Sequence, residues 1–163
     1  MKRILDVCCG SRMFWFDKQN SDVIYCDNRK ETVELCDGRK LVVAPDVIAD
    51  FCNLPFSDNQ FYLVVFDPPH LLHVGDNSWL ARKYGKLSDD WKSVLHAGFN
   101  ECMRVLKPNG TLIFKWSETD ITVSSILDVI GVKPLFGHKS GKSNKTHWMC
   151  FIKEDTNEQD EVI

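Results

Sequence analysis

Phe61-Tyr62-Leu63-Val64-Val65-Phe66-Asp67-Pro68-Pro69-His70 is the stretch that decides the fold. Its first six residues form a continuous apolar run, the pattern of a central strand buried on both faces of a parallel sheet. The run stops at Asp67 because two prolines follow, and proline cannot donate to a sheet ladder. The pair also fixes a rigid, extended backbone, since a residue before proline is disfavoured in α geometry. Asp67 and the Pro68 carbonyl are then two acceptors for one planar amine at a strand end. His70 is a ring able to stack on whatever carries that amine. The same residues also read as a plain strand terminator.

Strands and helices alternate on both sides of this stretch. Upstream, residues 4–9, 23–26 and 47–51 read as strands, and 41–43 as a short hydrophobic piece. Residues 13–20 read as a short helix, and 30–37 as a weak one stopped by Gly38. Downstream, Trp91, Val94, Leu95, Phe99, Cys102, Met103 and Leu106 recur at helical spacing over residues 89–106. Ser88 is the expected N-cap, and Pro108-Asn109-Gly110 the terminator. Residues 111–116 form a further strand, and 121–130 a helix stopped by Gly131. Two last strands, 134–137 and Thr146–Ile152, flank a polar loop. This alternation predicts an α/β fold with a mostly parallel sheet. Right-handed crossovers would gather the strands' C-terminal ends on one ligand-binding edge.

The chain has 163 residues, 44% hydrophobic and 26% charged, which fits one globular domain. No apolar run approaches the roughly 20 residues of a membrane span, and no secretory signal opens the chain. A domain over 1–153 with a solvated acidic tail over 154–163 is expected. The tail holds Glu154, Asp155, Glu158, Asp160 and Glu161, and without it 20 basic residues face 18 acidic ones. The seven cysteines include no CxxC pair and the histidines lack ligand spacing. They read as reduced thiols in a cytoplasmic protein, with no metal site.

Five further segments carry candidate chemistry. Asp6-Val7-Cys8-Cys9-Gly10-Ser11 is a strand ending in a glycine turn, where backbone N–H groups can approach a ligand. Asp27, at the second strand's end, is placed to accept from the ribose hydroxyls of an adenosine-containing cofactor, or simply to cap a turn. Asp50 and Phe51 are placed to hold an adenine amino group and ring, or to form a strand-to-turn junction. The long loop 71–88 carries Trp79 and Tyr84 beside Arg82, Lys83 and Lys86, a mixture suited to an unstacked base and its phosphates, or to a solvated lid. Lys139, Lys142 and Lys145 punctuate the last polar loop. Gly141-Lys142-Ser143 is no phosphate-binding P-loop: Phe136 stands where its first glycine belongs, and a strand follows instead of a helix.

Three segments carry a resemblance. Asp50-Phe51-Cys52-Asn53-Leu54-Pro55-Phe56-Ser57-Asp58-Asn59-Gln60-Phe61 resembles the D-x-x-x-LPF-x-D-x-x-F segment of class I S-adenosylmethionine-dependent methyltransferases. Arg104-Val105-Leu106-Lys107-Pro108-Asn109-Gly110-Thr111-Leu112 is similar to their RVLKPGG-x-L turn, with Asn109 in place of a glycine. Asp67-Pro68-Pro69-His70 resembles the [DNS]-P-P-[YFW] motif of enzymes that methylate exocyclic amines of nucleic-acid bases. Of the family's three loop glycines only Gly10 remains, with Cys8 and Arg12 in the other places.

The resemblance covers nearly the whole chain. It implies a single-domain Rossmann-like methyltransferase fold, with a mostly parallel seven-stranded sheet and an antiparallel last strand. S-adenosyl-L-methionine is the implied cofactor. Asp6, Cys8 and Gly10 would line its methionine end, Asp27 its ribose, and Asp50 and Phe51 its adenine. Asp67, Pro68 and His70 would present the target amine, adenine N6 foremost. The implied partner is DNA or RNA, held by Trp79, Arg82, Lys83, Tyr84, Lys139, Lys142 and Lys145. The fold leaves no room for a separate recognition domain, so preference would come from these loops or a protein partner. Two rivals stay open: a small-molecule or protein methyltransferase, and a cofactor-binding module without catalysis.

Overall fold

The computed structural model describes residues 1–35, 37–76 and 78–155. In chain order the elements are β1 (Ile4–Asp6), β2 (Val23–Asp27), β3 (Glu31–Glu34), β4 (Lys40–Val43), β5 (Val47–Ile48), β6 (Phe61–Phe66), α1 (Trp79–Tyr84), α2 (Trp91–Val105), β7 (Leu106–Ser117), α3 (Val123–Ile130), β8 (Phe136–Ser140) and β9 (Thr146–Ile152). Seven strands form one sheet in the order β5-β2-β1-β6-β7-β9-β8, and β3 and β4 form a separate hairpin. Strand β9 runs antiparallel to both neighbours, while β5, β2, β1, β6 and β7 are mutually parallel. Chain order reverses between β1 and β6, so a crevice opens beyond their C-terminal ends.

The main core lies on one sheet face. Helices α2 and α3 bury Leu95, Phe99, Cys102, Val105, Ile126 and Ile130 against Leu5, Val64, Phe66, Leu112, Phe114, Trp116, Met149 and Phe151. The strand partners follow the two-residue alternation of a pleated sheet, which puts Leu5, Val64, Leu112 and Phe151 in register on that face. The opposite face holds a smaller cluster of Cys9, Val23 and Tyr25, with Ile4 and Trp15 packed on it.

The expected helix over 13–20 is absent; turns take its place. Arg12 adopts φ +57°, a left-handed conformation that no right-handed helix propagates. Its guanidinium lies 3.6 Å from the Tyr25 ring centroid and donates to the Lys18 and Ala44 carbonyls. The weak helix over 30–37 is replaced by β3 and the turn into β4 (Cys36 lies outside the described residues). Thr32 and Val33 are stiff at χ1 and favour extended backbone, and the hairpin buries Leu41 and Val43.

Other boundaries shift as well. Strand β5 keeps only two of the five residues expected there. The long loop contains α1, N-capped by the Ser78 hydroxyl. Helix α2 begins behind Asp90 rather than Ser88. Pro108-Asn109-Gly110 does not terminate the helix; β7 already begins at Leu106 and runs through it. There Asn109 takes φ +61°, which asparagine tolerates better than most side chains. Strand β8 starts at Phe136, later than expected. Of the acidic tail, residues 156–163 lie outside the described residues.

Candidate functional site

A cleft of about 890 Å³ opens at the C-terminal edge of the parallel strands. One wall is the turn after β1. Val7 N donates to Val65 O and Cys9 N to Cys26 O, so this turn is pinned to strands on both sides. Gly10 sits at φ +48°, and a Cβ there would meet no atom within 4 Å. The backbone thus faces open cleft in a conformation that favours glycine. Gly10 N donates to Asp27 Oδ2 at 2.9 Å, and Asp27 Oδ1 accepts from Arg29 N and Nε.

Asp6 lies beneath this turn and does not line the cleft. It is fully buried. Oδ2 accepts from Trp15 Nε1 at 2.7 Å, while Oδ1 has no partner among the described residues. Burial raises its pKa to about 7, against the opposing Trp15 bond. Burial also lifts the Cys8 thiol well above its usual range and the Cys9 thiol to about 12, so neither is an activated nucleophile.

The facing wall is the turn after β6. Asp67 Oδ2 accepts from Lys115 Nζ at 2.6 Å. Burial raises the Asp67 pKa, and the Lys115 charge and hydrogen bond work against that rise. His70 lies 5.7 Å from Tyr84 and 6.3 Å from Trp116, ring centroid to centroid. Burial first, and Lys115 second, lower its pKa to about 4, so the imidazole is neutral at pH 7. Asp120 secures the segment beyond by accepting from Leu72 N and His73 N. Helix α1 closes over this wall. Gly85 at its C-terminus has φ +77°, and a Cβ there would stand 2.9 Å from Pro69 Cγ, so glycine lets Tyr84 approach His70.

The cleft brings together Cys8, Gly10, Asp27, Phe51, Asp67, Pro68, His70, Arg82, Lys83 and Tyr84. Phe51 also packs edge-on to Phe66 at 5.4 Å, against Gly98 of α2, so most of its ring belongs to the core. Besides Asp6, five expected contributors do not line the cleft. Asp50 is exposed and spends Oδ1 on Cys52 N, two residues on. Trp79 points outward, 45% exposed, with Lys83 over its ring. Lys139, Lys142 and Lys145 belong to β8 and the loop after it, beside the mouth where Thr146 reaches the lining.

Lys115, Phe14 and Arg29 line the cleft without having been singled out by sequence. A lone lysine inside the apolar strand 111–116 was the available signal for Lys115. Phe14 meets Trp148 edge-on at 5.5 Å, and Lys115 Nζ stands 5.6 Å from each ring. Arg29 Nη1 donates to Arg82 O at 2.7 Å, tying the β3 side of the cleft to α1.

No family model matches this chain, and no curated protein matches it. Solved structures do. The PH0226 protein of Pyrococcus horikoshii OT3 superposes with a TM-score of 0.60 at 14% identity, over 93% of this chain and 82% of that one. A TehB-like SAM-dependent methyltransferase from Corynebacterium glutamicum gives 0.54 at 13% identity, over 94% and 80%. The Burkholderia thailandensis 1,6-didemethyltoxoflavin-N1-methyltransferase, solved with bound 1,6-didemethyltoxoflavin and S-adenosylhomocysteine, gives 0.51 at 12% identity, over 93% and 71%. The architecture is therefore the Rossmann-like methyltransferase fold. Among the described residues, no helix is long and apolar enough to cross a membrane.

Proposed function

We propose that this chain is an S-adenosylmethionine-dependent methyltransferase acting on an exocyclic amine of a nucleic-acid base, adenine N6 foremost. The observation that carries this reading is the placement of Asp67-Pro68-Pro69-His70 across the cleft from the Gly10 turn, at the switch point between β1 and β6. The cofactor fits the residues present: open space over Gly10 and a carboxylate at Asp27 lining the same cleft. When bound, it supplies a methyl group on a sulfonium sulfur.

The chain's own part is orientation. Asp67 and the Pro68 carbonyl accept the amine's N–H bonds and turn its lone pair to the methyl carbon. Transfer would make an N–C bond as the cofactor's C–S bond broke, with the electrons of that bond left on sulfur. The amine then gives up one N–H proton to solvent, and Asp67 stabilises the positive charge while it develops. Neutral His70 offers a flat face to the base. Arg82, Lys83, Lys139, Lys142 and Lys145 surround the mouth and would contact phosphates.

The test is incubation with methyl-tritiated S-adenosylmethionine and separate pools of unmodified DNA, RNA and small metabolites. Label in a nucleic-acid pool, lost on Asp67→Ala, supports the reading and selects the polymer. Label confined to small molecules supports a second reading, a small heteroaromatic acceptor. The 1,6-didemethyltoxoflavin bound in the Burkholderia neighbour and the aromatic lining from Phe14 and Tyr84 favour that second reading. Cofactor binding without any transfer would leave a non-catalytic module.

A further inference from the structure

We propose that Lys115 determines acceptor specificity: with Asp67 it forms a donor–acceptor pair that reads an amine together with the ring nitrogen beside it. The target is the H₂N–C=N edge of an aminated heteroaromatic base, not an isolated aliphatic amine. This inference rests on the nucleobase reading above and deepens it.

The geometry starts from the sheet. Phe114 is in register with Phe66, so Lys115, the next residue of β7, stands at the height of Asp67, the residue just beyond β6. The two side chains meet at 2.6 Å. An ammonium has three N–H donors and no acceptor, and one of them goes to Asp67 Oδ2. The pair therefore presents carboxylate oxygen and N–H side by side. The exocyclic amine of adenine or cytosine is complementary: its N–H seeks the oxygen, and the adjoining ring nitrogen accepts from the ammonium. An aliphatic amine offers no such second atom.

Two observations hold the ammonium in place for this task. It stands 5.6 Å from the ring centroids of both Phe14 and Trp148, within reach of cation–π attraction. It also lines the cleft together with Asp67, Pro68 and His70. A lysine serving only to neutralise a buried carboxylate needs neither the aromatic brace nor access to the cleft.

The deciding experiment compares oligonucleotides bearing adenine or 1-deazaadenine, in which the ring nitrogen beside the amine becomes C–H. Transfer efficiency is measured with wild type, Lys115→Met and Lys115→Arg. Loss of a hydrogen bond from a charged donor lowers wild-type kcat/KM on the deaza substrate by about 10- to 100-fold. That loss falls below about threefold in Lys115→Met, where the partner is already gone, and persists in Lys115→Arg. An equal deaza loss in wild type and Lys115→Met, or no loss in wild type, overturns the role of Lys115 while leaving base methylation standing. Should Lys115→Met not fold, wild type and Lys115→Arg on the two substrates decide the matter. Failure of wild type to label any adenine- or cytosine-bearing oligonucleotide overturns the base-methylation reading, and this inference with it.

Discussion

Trp15 Nε1 donates to Asp6 Oδ2 at 2.7 Å, and the other oxygen of the same buried carboxyl has no partner among the described residues. The indole satisfies half of a group that burial prefers protonated. Asp6 titrates near 3.8 when exposed and at about 7 in the fold. The folded state therefore binds the proton more tightly between those values. The stability this provides is present below about pH 4 and is lost as pH rises to 7. At pH 8 the charged carboxyl costs up to about 4 kcal/mol. Asp6→Asn, which keeps an acceptor for Trp15, is expected to raise the melting temperature at pH 8 and to flatten its fall between pH 5 and 8. Parallel melting curves for the two proteins across that range would contradict this.

His70 has the opposite sign. Its pKa falls from 6.5 to about 4 in the fold, so the unfolded state takes up the proton first. The stability tied to neutral His70 is present above pH 6.5 and lost as pH drops toward 4. Nuclear magnetic resonance should place the His70 midpoint near 4. Replacing it by Phe, the aromatic of the resembled motif, should preserve transfer to within about threefold, because the role assigned to it is a neutral plane.

Gly98 lies in the interior of α2, where alanine would ordinarily favour the helix by about 1 kcal/mol. Here a Cβ would stand 2.4 Å from Phe51 Cδ2 and 3.0 Å from Phe66 Cζ. Overlap with the two rings outweighs propensity, so Gly98→Ala should destabilise the fold by about 1–3 kcal/mol. Cofactor affinity, read by calorimetry, should drop as Phe51 is displaced. Unchanged stability would mean that the ring yields freely.

Arg82 and Lys83 of α1 line the cleft, and the lysines of the β8–β9 loop lie next to Thr146 at its edge. Phosphate contacts from such a rim release counterions, so binding to oligonucleotides should weaken steeply with salt. Replacing Lys142 and Lys145 together by Ala should reduce the slope of log Kd against log salt by about 2, with little change in base preference. A slope that stays flat from low to moderate salt would refute a phosphate role for this loop.

Much of the fold was legible because the deciding signals are local. The apolar run of β6, the helical spacing of α2 and the closing pair of strands each declare themselves over a few residues. The resembled LPF and RVLKPNG segments turn out to be two halves of one fastening. Arg104 donates to Leu54 O and Phe56 O and pairs with Glu101 and Asp58. Those segments thus report scaffold more than chemistry. What escaped reading is tertiary. The Arg12 guanidinium wraps its own turn and dispenses with a helix, and the partners of β3 lie across a hairpin that no periodicity announces. Lys115 becomes a candidate only when β7 and β6 are set side by side. Asp50 illustrates the converse, a strand-end acid whose side chain folds back on its own turn.

The bridge from Arg29 to the Arg82 carbonyl has a consequence for timing. It joins two walls through one guanidinium that also serves Asp27 and Glu31. A part-exposed contact of this kind contributes only about 0.5–1.5 kcal/mol, so it acts as a latch that thermal motion releases readily. Loop and lid movements of this sort fall in the microsecond-to-millisecond range. On those timescales such a clasp would open and reclose many times within about 0.1 s, the turnover time of a typical enzyme. The width of the cleft at rest would then set no limit on the size of molecule that enters.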